Sequence, residues 1–297
     1  MQYKHNGFEK DIFFIGDVHS RQKETTRSGK ELLRTMDQFF PKIHTIIPPN
    51  NKLSIIWEIA PNLSKRKNSR IYLNHKINSL LNGPFPKFKI IASDQLRNSS
   101  KKLKTLMLNT LYRPTVLKNQ LADQTFRHEI AYEIKKTLIP PQGNLLERKL
   151  SYLRNKSLLP KNIANYLGEN LEWYRHQVSY LHSSLFFCPQ NLVVDSSLEK
   201  YRQVLAKNTA DLEMLLNIFS SKKNTLVYAG NGHIKRIQRF LYKLGFQSKF
   251  EIENYHFLSK RDVFQFFLQY KKSVKSKTKS FKKPTKTNNN RLLAQGI

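Results

Sequence analysis

The sequence predicts an α/β fold: a mostly parallel open sheet flanked by helices, with a helical insertion and a disordered basic C-terminal tail. Three observations predict it. Short apolar runs closed by glycine or a carboxylate recur around Phe13-Phe14-Ile15-Gly16-Asp17, Leu53 to Ile59, Phe88 to Asp94 and Leu226 to Gly230, the pattern of strands buried on both faces. Helix-period segments separate these runs, which implies crossover connections and parallel strands. Beyond Lys271 apolar periodicity stops, so residues 271–297 read as a disordered tail on a single domain of residues 1–270.

Taken in order, the first strand runs into Gly16-Asp17-Val18-His19. Leu32, Leu33, Met36, Phe39 and Phe40 then recur at helical spacing, and Pro41 stops that helix. The turn Pro48-Pro49-Asn50-Asn51 leads into the second strand, which closes near Glu58. A helix over about 70–82 ends at Asn82-Gly83-Pro84, and the third strand finishes on Asp94. From about 99 to 220 the strand signal fades. Leu103, Leu106 and Leu111, then Ile130, Tyr132 and Ile134, then Ile163, Tyr166, Leu167, Leu171 and Tyr174 mark helices, with loops at Pro140-Pro141 and Pro160. Asn191 to Asp195 reads as a short strand, and a helix spans about 197–219. The opening pattern then returns: a strand from Asn224, the turn Gly230-Asn231-Gly232-His233, and a helix carrying Ile234, Ile237, Phe240, Leu241 and Leu244 that closes at Gly245. Phe250 to Ile252 reads as an edge strand, and Val263, Phe266, Phe267 and Tyr270 as a last helix.

With 297 residues, 39% of them hydrophobic, the chain can build a substantial core. Its formal charge of +31 is the outlying property. Nine Lys and Arg and no acidic residue lie from Lys271 onward, which leaves +22 on the first 270 residues. Such a field attracts polyanions, and contact with nucleic acid through the basic tail is the partner it implies. An AT-rich genome, which inflates Lys and Asn, is the competing origin of the body's charge. The lone cysteine, Cys188, excludes an intramolecular disulfide and a cysteine-based zinc site. Met1 to Lys10 lacks the apolar core of a signal peptide, and no apolar run approaches the roughly 18 residues that span a bilayer. These features read as a soluble, intracellular protein.

In an open parallel sheet the carboxyl ends of the strands lie along one edge, where ligands bind. Here that edge collects Asp17 and His19, Glu58, Asp94 with nearby Arg97, and His233. Two imidazoles and up to three carboxylates suit a borderline divalent metal such as Zn, Mn, Fe or Co. His19, His233, Asp17 and Asp94 are the candidate ligands. A metal-bound water could pass its proton to Glu58, which makes His19, Glu58 and His233 the catalytic candidates. Gly16, Gly230 and Gly232 would let a bound group approach the backbone closely, with Arg97 beside it.

The paired motifs Gly16-Asp17-Val18-His19 and Gly230-Asn231-Gly232-His233, with Glu58 closing the second strand, resemble the erythromycin esterase/ChaN-like and TraB/TIKI superfamily. The resemblance spans roughly residues 11–97 and 224–253 and leaves the helical middle uncovered. It implies an α/β core with a helical insertion and a hydrolase-like site of paired histidines and carboxylates. That superfamily also contains metal-dependent peptidases and a haem-binding protein, so haem stands behind a divalent metal as the implied group. Members often carry Glu where this chain has Asp17.

Ile15 to His19 is also similar to the first block of calcineurin-like metallophosphoesterases. Their later Gly-Asp and Gly-Asn-His blocks are missing between residues 60 and 150, and Lys235 stands where their closing motif needs histidine. A non-catalytic nucleic-acid-binding protein on the same scaffold is the alternative from a different class. His128, His176, His182 and His256 read as structural. Trp173, Tyr174 and Tyr180 read as a helix core stripe before a base-stacking surface, and Cys188 as a buried thiol. Glu58 has a plain structural reading as well, as the cap of a neighbouring helix.

Overall fold

The computed structural model describes residues 2–5, 8–17, 53–58, 88–93, 95–187, 202–221 and 224–248. All belong to one compact unit, Met1–Thr26 with Pro49–Lys249. The expected helices near 32–40 and 70–82, the short strand at 191–195, Cys188, His256, the elements after 248 and the basic tail lie outside the described residues.

Five strands form one sheet: β1 (Gln2–His5), β2 (Phe8–Asp17), β3 (Leu53–Trp57), β4 (Phe88–Ala92) and β5 (Asn224–Gly230), in the order β1-β2-β5-β3-β4. The four strands predicted from the apolar runs are mutually parallel, so the fold is α/β. The last strand in sequence is central. β5 lies between β2 and β3, with Asp17 opposite Gly230 and Trp57 opposite Tyr228. All seven β5 residues are buried. Ile12, Ile56, Val227 and Ala229 share one apolar cluster with the helices. Residues of the other parity, Ile55, Trp57, Leu226 and Tyr228, are buried as well.

β1 was not expected from the polar N-terminus. It pairs antiparallel with β2, His5 opposite Phe8. The two positions between them are Asn6-Gly7, the dipeptide that most strongly favours a tight hairpin.

Helices fill the stretch between β4 and β5: α1 (Gln95–Asn98), α2 (Lys101–Tyr112), α3 (Pro114–Ala122), α4 (Gln124–Leu138), α5 (Leu145–Asn155), α6 (Lys161–Phe187) and α7 (Thr209–Ser220), with a π-helical segment at Arg202–Asn208 leading into α7. Local chemistry sets several starts. Ser100 accepts from Leu103 N–H at 3.3 Å, Pro114 occupies the first turn of α3, and Asn144 with Glu147 forms a capping box on α5. The expected breaks at Pro140-Pro141 and Pro160 fall between helices.

Two aromatic assignments need correction: Trp173 and Tyr180, read as part of a helix core stripe, are 51% and 54% exposed. Tyr174 alone of its group is core, at 1%. At about 100° per residue, Trp173 stands about 100° and Tyr180 about 240° round α6 from Tyr174, so the three fall on different faces.

α8 (Asn231–Lys243) follows β5 directly, burying Ile234, Ile237 and Leu241 as predicted. Gly245 sits beyond it at φ +88°, the left-handed position where glycine ends helices. α7 is different: every residue from Thr209 to Phe219 is buried, including Asp211, Glu213 and Asn217. Among the described residues no helix is long and apolar enough to cross a membrane.

Candidate functional site

The parallel ladder holds the strand ends level. Glu58 N–H donates to Tyr228 O at 3.2 Å and Ser93 N–H to Trp57 O at 2.7 Å. Glu58 thus leaves β3 beside the end of β5, where α8 begins. Its Oε2 accepts from Gly230 N–H at 2.8 Å, and its Oε1 lies 3.1 Å from His233 Nε2. The capping reading of Glu58 accounts for one of its oxygens only. One oxygen serves the start of α8 and the other faces the imidazole.

The other side of the ring meets Asp211, from the first turn of α7, with Nδ1 2.5 Å from Oδ1. Arg236, three residues after His233 on α8, donates Nε–H to Asp211 Oδ2 at 2.5 Å, and its Nη2 lies 3.3 Å from Oδ1. The imidazole is therefore held between two carboxylates, one of them clamped by a guanidinium. Burial, the largest single influence, pushes the His233 pKa down. The hydrogen bonds and charges of Asp211 and Glu58 together outweigh it and bring the pKa to about 9. His233 is thus an imidazolium at neutral pH, and both ring nitrogens donate. The quartet then holds two anions and two cations, so its net charge is zero.

Arg236 Nη2 also lies 2.9 Å from His233 Nδ1. A protonated Nδ1 cannot accept that hydrogen bond. The shorter contact to Asp211 takes the Nδ1 proton, and Arg236 spends its donors on the same carboxylate.

A second polar cluster adjoins the first along α7. Glu213, fully buried, accepts from Gln95 N–H at 3.1 Å and Leu96 N–H at 3.2 Å. Lys149 Nζ lies 3.7 Å from Glu213 and donates to Asn217 Oδ1 at 2.9 Å. Asn217 in turn donates to Ser93 Oγ at 2.8 Å, at the end of β4. Burial lowers the Lys149 pKa, against the upward pull of Glu213.

Of the residues predicted from sequence, Glu58, Gly230 and His233 converge. Gly230 supplies its N–H to Glu58 and so serves the protein's own carboxylate. Gly232 lies in the first turn of α8, where an added Cβ would stand 3.4 Å from Arg236 Nη1. Gly16 and Asp17 pair with Ala229 and Gly230 one strand over. Arg97 is in α1. His19, Asp94 and the side chains of Asp17 and Arg97 lie outside the described residues. Asp211 and Arg236 were not foreseen. Asp211 had a signal: it stands with Glu213 among Ala210, Leu212, Met214, Leu215 and Leu216, and acidic residues buried in such a segment have to be paired.

A divalent metal fits poorly among the described groups. Both His233 nitrogens carry protons committed to carboxylates, and a metal ligand needs a free lone pair. Among the described residues no group of three or more His, Cys, Asp or Glu side chains is arranged to hold a metal ion.

No family model, curated protein or solved structure matches this chain.

Proposed function

We propose that the chain is a hydrolase-like enzyme whose site lies at the carboxyl ends of β3 and β5, with His233 as proton donor and Glu58 as proton acceptor. The observation that carries this reading is the 3.1 Å contact of Glu58 with His233 at the ligand-binding edge of a parallel sheet. A buried imidazolium can protonate a leaving oxygen. A carboxylate beside it can take the proton of the attacking water. Each turnover then moves one proton from His233 to the leaving group and one from water to Glu58, and transfer between the two residues restores both. The resemblance to the erythromycin esterase/ChaN-like and TraB/TIKI superfamily points the same way. A divalent metal held by Asp17, His19 or Asp94 would supply a more acidic water.

The test is a panel of chromogenic carboxylic and phosphoric esters. Glu58→Gln and His233→Asn are expected to lower kcat about a hundredfold or more, and wild-type activity should fall as pH rises through about 9, where His233 loses its proton. Rates equal to wild type in both variants would refute the assignment.

The charge of +31 favours a second reading, nucleic-acid binding. Affinity for single- and double-stranded nucleic acid is then expected to fall steeply with salt and to weaken when residues 271–297 are removed. Binding indifferent to both would exclude it.

A further inference from the structure

We propose that Asp211, clamped by Arg236, is the positioning residue that fixes which nitrogen of His233 faces Glu58 and the site. This rests on the reading of His233 as the proton donor. The two ring nitrogens of a histidine are made distinct by what each one binds. Asp211 Oδ1, 2.5 Å from Nδ1, accepts the hydrogen bond on that side and leaves Nε2–H directed at Glu58 Oε1. Asp211 is itself constrained. Arg236 holds Oδ2 through Nε at 2.5 Å and approaches Oδ1 through Nη2 at 3.3 Å, so the carboxylate is not free to rotate away from the ring.

The three residues come from two helices that meet at the start of α8. His233 and Arg236, three apart, share one face of α8, and Asp211 reaches them from the first turn of α7. Asp211 does not approach Glu58's side of the ring in any of these contacts, so it acts through His233 and not on substrate. The arrangement has the logic of a carboxylate that orients a catalytic imidazole by its remote nitrogen, with a guanidinium added behind it.

The experiment uses the full chain with 15N-labelled histidine, comparing wild type, Asp211→Asn and Arg236→Gln by ring-nitrogen NMR at pH 7.5, thermal unfolding, and turnover of the best ester from the panel. In wild type both His233 nitrogens should give protonated signals. Asp211→Asn, nearly isosteric, is expected to lose the protonated Nδ1 signal and to drop kcat about a hundredfold with KM unchanged. Arg236→Gln should give an intermediate spectrum. If Asp211→Asn does not fold, Arg236→Gln carries the test alone. Wild-type ring signals in the folded variants would overturn the proposal. Altered signals without any esterase activity in wild type would leave the positioning intact and refute the hydrolase reading instead.

Discussion

Replacing Glu213 with alanine is expected to cost about 3–5 kcal/mol, the range for removing one partner of a buried charge pair. Glu213 is fully buried, and its two oxygens accept the first two amides of α1. Alanine leaves both N–H groups without that acceptor, and an unpaired buried donor costs about 1–3 kcal/mol. It also strips the carboxylate from Lys149, whose burial already disfavours its charge. Glu213→Gln keeps one acceptor oxygen but brings an NH2 group against a backbone donor, so a smaller loss is expected. Urea unfolding of the full chain reads both. A loss below 1 kcal/mol for the alanine variant would show that the α1 amides find other acceptors.

Substituting Lys10 with methionine is expected to uncover a pH dependence that wild type conceals. Lys10 is 2% exposed and donates to Ser221 O at 2.8 Å and Ser221 Oγ at 2.9 Å, at the C-terminal end of α7. Burial lowers its pKa from 10.5 to about 7. Between those values the unfolded chain holds a proton that the folded chain has lost, so this group makes stability rise with pH. His233 does the reverse. Its pKa is raised from 6.5 to about 9, so its contribution is fully present below 6.5 and disappears as pH rises through 9. From pH 7 to 9 the two slopes oppose each other, and the profile arising from these two groups is nearly flat. With methionine at position 10, only the falling limb remains. A decline on the order of 3 kcal/mol between pH 6.5 and above 9 is then expected. Urea midpoints at intervals across that range measure it. A flat Lys10→Met profile over that range would show that His233 does not carry the proton assigned to it, and one that declines no more than wild type would show that Lys10 supplies no opposing slope.

The same two helices explain how much of the site could be read in advance. α8 followed from Ile234, Ile237 and Leu241 at helical spacing, with Gly245 to stop it, because one face is buried and the other wet. α7 lacks that contrast. From Thr209 to Phe219 it is buried all round, so periodicity marked the helix but could not say that Asp211 and Glu213 were its chemically important positions. Glu58 was legible as a carboxylate at a strand end. Its division between Gly230 N–H and His233 was not, since it joins residues more than 170 positions apart in the chain.

By itself the sequence determined the elements: buried strands from continuous apolar runs, helices from their period, ends from glycine, proline and capping side chains. These are properties of a few neighbouring residues, and local sterics and local burial enforce them. Tertiary structure alone decided that the last strand would lie between β2 and β3, and that Asp211 would close on the far side of His233. Strand order and the meeting of two helix starts depend on long-range packing, where the cost of burying each charge is settled by whichever partner the fold brings within reach.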